Sequence, residues 1–286
     1  MEYLMTYGWA ILIIAVVLGV LYYLGVFNTS NLAPRLQPGS CHVARTSAGV
    51  ENFGVCAGLP EFVAEFNNPV NTSTPQDYID ILNPGPSYFT SNAFTVSMWA
   101  NVQKDNIAYP KEPIFSMGCG SFFQVNFGYW HVPSSRLFDF YVGPDNAELR
   151  TSSPISLNEW YNIIGTYDSG NFVMYVNGQA VNSSTGSGTS LSSDTSGTVG
   201  IGDEGGCAAN FIGYISNAQI YNASLSAAEA KALYMEGIGG APVIPQSIVG
   251  WWPLNGNAAD YSGNNNNGQS VNVQYTNTWI NSYSAP

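Results

Sequence analysis

Side chains that could carry out chemistry are few and widely spaced in this 286-residue chain. Asp203 and Glu204 form the most obvious acidic pair, in a glycine-rich stretch before Cys207. Hydrolysis of a glycosidic bond needs two carboxylates about 5–10 Å apart, whereas adjacent side chains of an extended chain point to opposite sides. The two histidines, His42 and His131, are isolated, so no Ser–His–Asp arrangement is indicated. The sequence therefore predicts a protein that is not an enzyme.

Aromatic side chains offer a different chemistry, because an exposed tryptophan can cover an apolar ligand face while its N–H remains available for hydrogen bonding. Trp130, directly before His131, is the candidate for stacking on a sugar ring. Packing or a contact between subunits is the more ordinary interpretation of Trp130. We expect Trp99, Trp160 and Trp252 in the hydrophobic core.

The four cysteines, Cys41, Cys56, Cys119 and Cys207, include no C-x-x-C pair, and two scattered histidines are too few for a zinc site. In an exported domain, two disulfides are the better interpretation. Among the three possible pairings we favour Cys41 with Cys56 and Cys119 with Cys207. The first would close a loop of about 15 residues, worth about 3 kcal/mol on the chain-entropy model. Buried free thiols are the alternative.

Asn-x-Ser/Thr triplets, the acceptor sequences for N-glycosylation, stand at Asn28, Asn71, Asn182 and Asn222. Each lies in a turn-like context, although such triplets arise by chance in a chain rich in Ser, Thr and Asn. Together with export, they predict glycans on the protein surface.

The charge of the chain excludes two classes of partner. The formal net charge is −12, and only 9% of the residues are charged. Nucleic acids and acidic lipid surfaces attract proteins with a cationic patch, so neither is expected to bind. The 18 Tyr, 14 Phe and 7 Trp residues permit a large core.

Residues 1–27 are almost entirely apolar, and no Lys or Arg precedes Arg35. The stretch 9–27 is long enough for a helix across a ~30 Å hydrocarbon layer at ~1.5 Å per residue. A secretory signal would carry a basic segment and a small-residue cleavage site, and this stretch has neither. We predict one long N-terminal hydrophobic α-helix.

Two roles for this helix are open: a single-span membrane anchor, or a helix that leaves the membrane and packs against copies of itself in a filament. Gly8, Ala15 and Gly19 are small residues that let helix backbones approach closely. Glu2 is costly in an apolar bundle unless it is paired, and the N-terminal amine of a neighbouring copy is a natural partner. An anchor more often has Lys or Arg on its cytoplasmic flank. We favour the filament.

Beyond the helix, residues 28–40 contain two prolines and are predicted to be a linker. The pattern then changes to the period of two that is typical of strands, and turn residues separate the segments. Hairpin turns are predicted at 168–171 and 177–178. The predicted strands are 62–66, 78–82, 94–102, 122–127, 137–142, 160–167 and 172–176.

Only one further helix is indicated, after the capping box 226–229 and before Gly237. Many short strands with one late helix predict a mainly β fold. We expect an antiparallel jelly-roll sandwich over residues 41–286, preceded by the hydrophobic helix over 1–27.

Three segments of the chain resemble the laminin-G-like, concanavalin A-like module in order and spacing, over residues 62–237. The resemblance implies a jelly roll of the kind found in lectins. The matching positions are Thr95, Ser97, Trp99, Trp160, Tyr161, Tyr175, Asn177, Gly178, Gly213, Ile215, Ile220, Tyr221, Leu225, Ser226 and Glu229.

One part of the family pattern stands at the opposite end of this chain. Members usually open with a Trp-x-Leu-x-Gly…Asp-x-Ser-Gly segment. We favour a return of residues 248–286 to complete the same sheet, and a second module cut short is the alternative. The matching positions are Trp252, Leu254, Gly256, Asp260, Ser262, Gly263 and Gly268.

The same resemblance implies a possible Ca²⁺ ion, which takes oxygen ligands. Asp260 with the asparagines at 264–267, and Asp203, are the candidate ligands. The alternative is that residues 260–263 form a turn in which Asp260 bonds its own backbone.

The N-terminus resembles archaeal type IV pilin-like proteins, in which a glutamate opens a long apolar helix. Glu2 matches that acid, although no basic leader is present in the sequence. The resemblance implies a membrane-inserted precursor and then a cell-surface filament, with copies of the chain as partners. Its sandwich would serve in adhesion, with surface glycans as a further partner. A membrane-anchored carbohydrate-binding protein is the alternative, and a degenerate glycanase a remote third.

Overall fold

The computed structural model describes eleven stretches of the chain, two of them by their backbone alone (43–45 and 51–53). The other nine are 59–70, 77–81, 92–107, 110–118, 125–132, 135–143, 147–186, 199–203 and 211–286. A group of predictions therefore falls outside the described residues: the helix over 1–27 with Glu2, Gly8, Ala15 and Gly19, the four cysteines Cys41, Cys56, Cys119 and Cys207, and the sequons at Asn28 and Asn71. Within the described stretches, no helix is long and apolar enough to cross a bilayer.

Seventeen strands and one α-helix (α1, Ala227–Met235) are present in this part of the chain. The strands are β1 (Val43–Arg45), β2 (Glu51–Phe53), β3 (Val63–Asn67), β4 (Tyr78–Ile81), β5 (Ala93–Val102), β6 (Lys111–Met117), β7 (Val125–Val132), β8 (Ser135–Val142), β9 (Ala147–Arg150), β10 (Trp160–Asp168), β11 (Asn171–Val176), β12 (Gln179–Thr185), β13 (Val199–Ile201), β14 (Ile212–Tyr221), β15 (Ile248–Trp252), β16 (Gln269–Val271) and β17 (Gln274–Thr276).

The strands form two large antiparallel sheets and a small hairpin of β1 and β2. One large sheet has eight strands, in the order β12-β11-β10-β5-β14-β3-β17, with β15 also paired to β14. The other has seven, in the order β16-β4-β13-β6-β7-β8-β9. The predicted class, a mainly β antiparallel sandwich, is confirmed.

Both predicted hairpin turns are present. Asn177 and Gly178 have φ values of +50° and +70°, as a two-residue turn between twisted strands requires. They join β11 to β12, with Val176 paired to Gln179. Asp168 pairs with Asn171 at the turn between β10 and β11.

The core lies between the two sheets, where alternate residues of each strand point inward. Phe127 and Phe140 stack there, with ring centroids 4.8 Å apart. Burying a side chain of this kind stabilises the fold by about 1.5–3 kcal/mol. Gly165 on β10 makes room for the pair, because a Cβ at this position would lie 2.7 Å from both rings.

The outer face of the eight-stranded sheet is covered by α1 and the C-terminal residues. Trp99 stacks on Tyr234 of the helix at 5.8 Å and meets Tyr283 edge-on at 5.4 Å. Trp279 packs edge-on against Trp160 at 5.9 Å, and both are buried. This outer face therefore packs against a second apolar layer and is not exposed to solvent at these tryptophans.

The helix itself begins as predicted. Ser226 caps its N-terminus, with Ser226 and Glu229 bonding each other's backbone amides in a capping box. Gly237, with φ of +78°, follows the C-cap residue Glu236.

Residues 248–286 contribute strands to both sheets. β15 pairs with β14 and β17 with β3 in the eight-stranded sheet, while β16 pairs with β4 in the seven-stranded sheet.

Candidate functional site

Polar side chains cross the outer face of the seven-stranded sheet in register. Residues paired on neighbouring antiparallel strands point to the same side, and the inward positions of these strands belong to the core. The longest outward row runs through Asp80, Gly200, Ser116, Asn126, Tyr141 and Glu148. Two shorter rows follow, Gly128 with Asp139 and Arg150, and Lys111 with Trp130 and Leu137.

Three polar side chains in these rows are buried although their strand positions face outward. Ser116 and Asp139 are 0% exposed and Asn126 is 1% exposed. Neither Oδ1 nor Nδ2 of Asn126 has a hydrogen-bond partner. A buried polar group without a partner costs about 1–3 kcal/mol, so the Asn126 amide is a site of unsatisfied hydrogen-bonding capacity within the fold.

Lys111 connects two carboxylates on this face. Its Nζ lies 2.8 Å from Oδ2 of Asp139 and 3.8 Å from Oε1 of Glu148. Lys111 reaches Asp139 over Gly128, on the strand between them. Glycine leaves this path open, because a Cβ at position 128 would overlap Oδ1 of Asp139. Burial raises the pKa of Asp139 to about 6, and the Lys111 ammonium opposes this shift.

Trp130 lies in the third row and is half-buried. The Arg150 guanidinium stands over its ring, 4.2 Å from the centroid, a favourable cation–π geometry. Nη2 of Arg150 bonds Oε2 of Glu148 at 2.9 Å, while Nε is buried without a hydrogen-bond partner. Trp130, the candidate for a ligand contact, thus lies in a polar cluster that the sequence pattern did not indicate.

A second polar cluster lies where the loop between β5 and β6 meets the ends of β7 and β8. Arg136 makes a bidentate pair with Asp105, with Nη2 2.8 Å from Oδ2 and Nε 3.0 Å from Oδ1. This pairing holds the pKa of Asp105 below its ordinary value. A groove of about 540 Å³ opens beside the pair, between Ile107 and Val132.

The same loop is tied down by a buried carboxylate. Oε1 of Glu112 accepts a hydrogen bond from the backbone N–H of Asn106 at 2.7 Å and lies 3.2 Å from Nε2 of His131. Burial raises the pKa of Glu112, and the contact with His131 opposes that shift. His131, isolated in the sequence, therefore has a partner that the sequence did not reveal.

Asp260 organises its own loop. Its carboxylate accepts hydrogen bonds from the backbone N–H groups of Trp251, Ser262 and Asn266 and from the Ser262 hydroxyl, at 2.8–3.0 Å. This is the turn described above as the alternative to a Ca²⁺ site, and its N–H donors would compete with a cation. No group of three or more His, Cys, Asp or Glu side chains suited to a metal occurs in the described stretches.

The remaining predicted residues lie apart from one another. Asp203 is fully buried, and its backbone oxygen accepts a 2.8 Å hydrogen bond from the Ser116 hydroxyl. Asn222 is exposed at the end of β14. Asn182 is exposed on β12 and donates from Nδ2 to the Arg150 carbonyl at 2.9 Å, so this sequon borders the polar face.

The family described as the Concanavalin A-like lectin/glucanases superfamily (Laminin_G_3) matches residues 72–231, more than half of the chain. The chain belongs to this superfamily. No curated protein matches the sequence.

Two solved structures share the superfamily fold with this chain. One is a candidate carbohydrate-binding protein from Bacteroides ovatus, with a TM-score of 0.58 at 18% identity. The match covers 84% of this chain and 70% of the Bacteroides chain. The other is a heptameric SAP-like pentraxin from Limulus polyphemus, with a TM-score of 0.51 at 16% identity. The match covers 76% of this chain and 94% of the pentraxin chain. At these identities the likeness establishes the fold.

Much of the polar face was missed because its strands were predicted short or not at all. β6, which carries Lys111, and β9, which carries Arg150, were not predicted. β7 was predicted over 122–127, although alternation continues through Asn126, Gly128 and Trp130. Continuing the alternation to Gly128 and Trp130 would have placed both of them on the same face as Asn126.

Proposed function

We propose that the sandwich binds carbohydrate on the polar face of the seven-stranded sheet, with Asn126, Trp130, Arg150 and Glu148 as contacts. The unpartnered Asn126 amide carries the proposal. A sugar hydroxyl both donates and accepts hydrogen bonds, so a pair of neighbouring hydroxyls would satisfy Oδ1 and Nδ2 together.

The surroundings of Asn126 support the same ligand class. A sugar ring would stack on the face of Trp130 opposite Arg150, because the Arg150 guanidinium covers the other face. Arg150 and Glu148, which bond each other, would supply a donor and an acceptor at its edge. The fold similarity to a candidate carbohydrate-binding protein is in accord with this proposal.

We propose binding without hydrolysis. A glycosidase leaves one carboxylic acid free to protonate the leaving group and a second carboxylate free to act on the substrate. Here Asp139 is buried against Lys111, and Glu148 contacts both Lys111 and Arg150. Of the three carboxylates in these rows, only Asp80 is without a basic partner, one short of the two that hydrolysis needs.

Glycan-array screening of the full chain in detergent tests the binding proposal. We expect Trp130→Ala and Asn126→Ala to lose binding by at least tenfold, and Met235→Ala, an exposed residue of α1, to bind like the wild type. Repeating the measurement with EDTA tests the Ca²⁺ hypothesis for Asp260 and Asp203. Wild-type binding by both face variants would contradict the site.

We further propose, from the sequence of residues 1–27, that the chain is a subunit of an extracellular, archaeal type IV pilus-like filament. The apolar run, the small residues and Glu2 support packing of the helix against copies of itself. Display of a weak sugar site along a fibre would raise its avidity through multivalency.

Electron microscopy of sheared cell-surface material tests the filament. We expect fibres that contain this chain, with their yield lost in Glu2→Ala and kept in a Gln37→Ala control. Recovery of the chain only as a detergent-solubilised monomer would instead support a membrane-anchored carbohydrate-binding protein.

A further inference from the structure

Three charged side chains from three strands of the seven-stranded sheet meet on its outer face: Lys111 of β6, Asp139 of β8 and Glu148 of β9. We propose that Lys111 and Asp139 are joined covalently, by an amide bond between Nζ and Cγ, and that Glu148 transfers the protons. The proposal concerns a chemical modification of the protein itself and holds whether or not the face binds sugar.

Geometry is the first support. Nζ of Lys111 is 2.8 Å from Oδ2 of Asp139, so the nucleophile already touches the carboxyl group. Strand β7 separates β6 from β8, and the Lys111 side chain crosses it at Gly128. A Cβ there would lie 3.1 Å from Cε of Lys111 and overlap Oδ1 of Asp139, so only glycine leaves the path open.

The sheet also holds both groups in place before reaction. Lys111 pairs with Trp130 and Asp139 pairs with Gly128, two positions apart on the same strand. Groups fixed in this way react with effective concentrations of about 10⁵–10⁸ M.

Burial is the second support. Asp139 is 0% exposed, its Oδ1 has no hydrogen-bond donor, and the Lys111 side chain is 23% exposed. Holding an ion pair out of water is unfavourable, and an amide removes both charges. Because burial raises the pKa of Asp139 to about 6, the neutral acid that an amine can attack is accessible near neutral pH.

The chemistry balances without any added reagent. A proton passes from the Lys111 ammonium to the Asp139 carboxylate across their 2.8 Å ion-pair contact, which leaves a neutral amine and a carboxylic acid. The Nζ lone pair attacks Cγ, and Glu148, with Oε1 3.8 Å from Nζ, takes a proton from the nitrogen. Glu148 returns this proton to the departing hydroxyl, the C–O bond breaks, and one water leaves.

Mass spectrometry of the reduced full chain in detergent tests the bond. We expect an intact mass lower than the sequence mass by one water. Trypsin should fail to cleave after Lys111 and should yield peptide 105–136 joined to peptide 137–150, with fragment ions that place the link at Lys111 and Asp139. A full sequence mass, or a water loss without joined peptides, overturns the proposal.

Variants separate this bond from other reactions. Lys111→Arg and Asp139→Ala should restore the full mass, whereas Lys104→Arg, at an exposed loop position, should keep the loss. Glu148→Gln should slow bond formation by about 100-fold or more. Loss of ammonia with a link inside peptide 105–136 would assign the bond to Asn126 and overturn its assignment to Asp139.

Discussion

The two sheets present contrasting outer faces. The eight-stranded sheet carries Trp99 and Trp160 outward, and α1 and the C-terminal residues cover them. The seven-stranded sheet carries Asn126 and Asp139 outward, buried but short of hydrogen-bond partners. One face completes the fold by hydrophobic packing. The other retains polar groups at a cost in stability, as a ligand site does.

The largest effect should come from the covered face. Trp99→Ala removes a buried indole between Tyr234 and Tyr283 and should lower the free energy of unfolding by about 3–5 kcal/mol. Trp130→Ala, on the polar face, removes a half-buried indole and should cost less than about 1 kcal/mol. Urea unfolding monitored by circular dichroism measures both, and equal losses would contradict the contrast between the faces.

Gly128→Ala should destabilise the polar face by about 1–3 kcal/mol, because the new methyl group overlaps the Asp139 carboxylate. The double variant with Asp139→Ala removes the overlapping atom. We therefore expect a coupling of at least about 1 kcal/mol between the two changes in a double-mutant cycle. Additive losses would show that the glycine serves another purpose.

A smaller effect is expected at the helix that covers the first face. Ser226→Ala removes the N-cap oxygen and should cost about 1 kcal/mol. Thermal unfolding should show the loss, and Ser284→Ala, at an exposed C-terminal position, is the matched control. An unchanged midpoint for Ser226→Ala would mean that tertiary packing alone holds α1.

The smallest expected effect concerns pH. The pKa of Asp105 is lowered in the folded state by Arg136, so its contribution to stability is present above its ordinary value of 3.8 and is lost as pH falls through the lowered pKa. Between pH 5 and about 2, the free energy of unfolding should fall less in Asp105→Asn than in the wild type. Parallel curves would remove Asp105 from the acid response.

The sequence predicted the features that depend on neighbours in the chain. The turns at Asn177 and Asp168 and the capping box at Ser226 are local, and all three are present. The period of two predicted the central strands because their alternation separates core from surface. The N-terminal helix and the disulfides stay predictions.

The candidate site was harder to predict because it depends on register between distant strands. Asn126, Asp139 and Glu148 become neighbours only when β7, β8 and β9 pair in one particular alignment. β6 contains Pro113 and a bulge and so lacks a clear alternation, and β9 has only four residues. No local pattern in such segments indicates which side chains meet.

The strands of residues 248–286 have a consequence for how the protein is made. Trp279 bonds the Glu61 carbonyl, 218 positions earlier in the sequence, and β17 pairs with β3 beside it. Contacts this remote form slowly and only after both segments have been synthesised. The sandwich of a newly made chain therefore closes only when β17 and Trp279, close to its C-terminal end, have been synthesised.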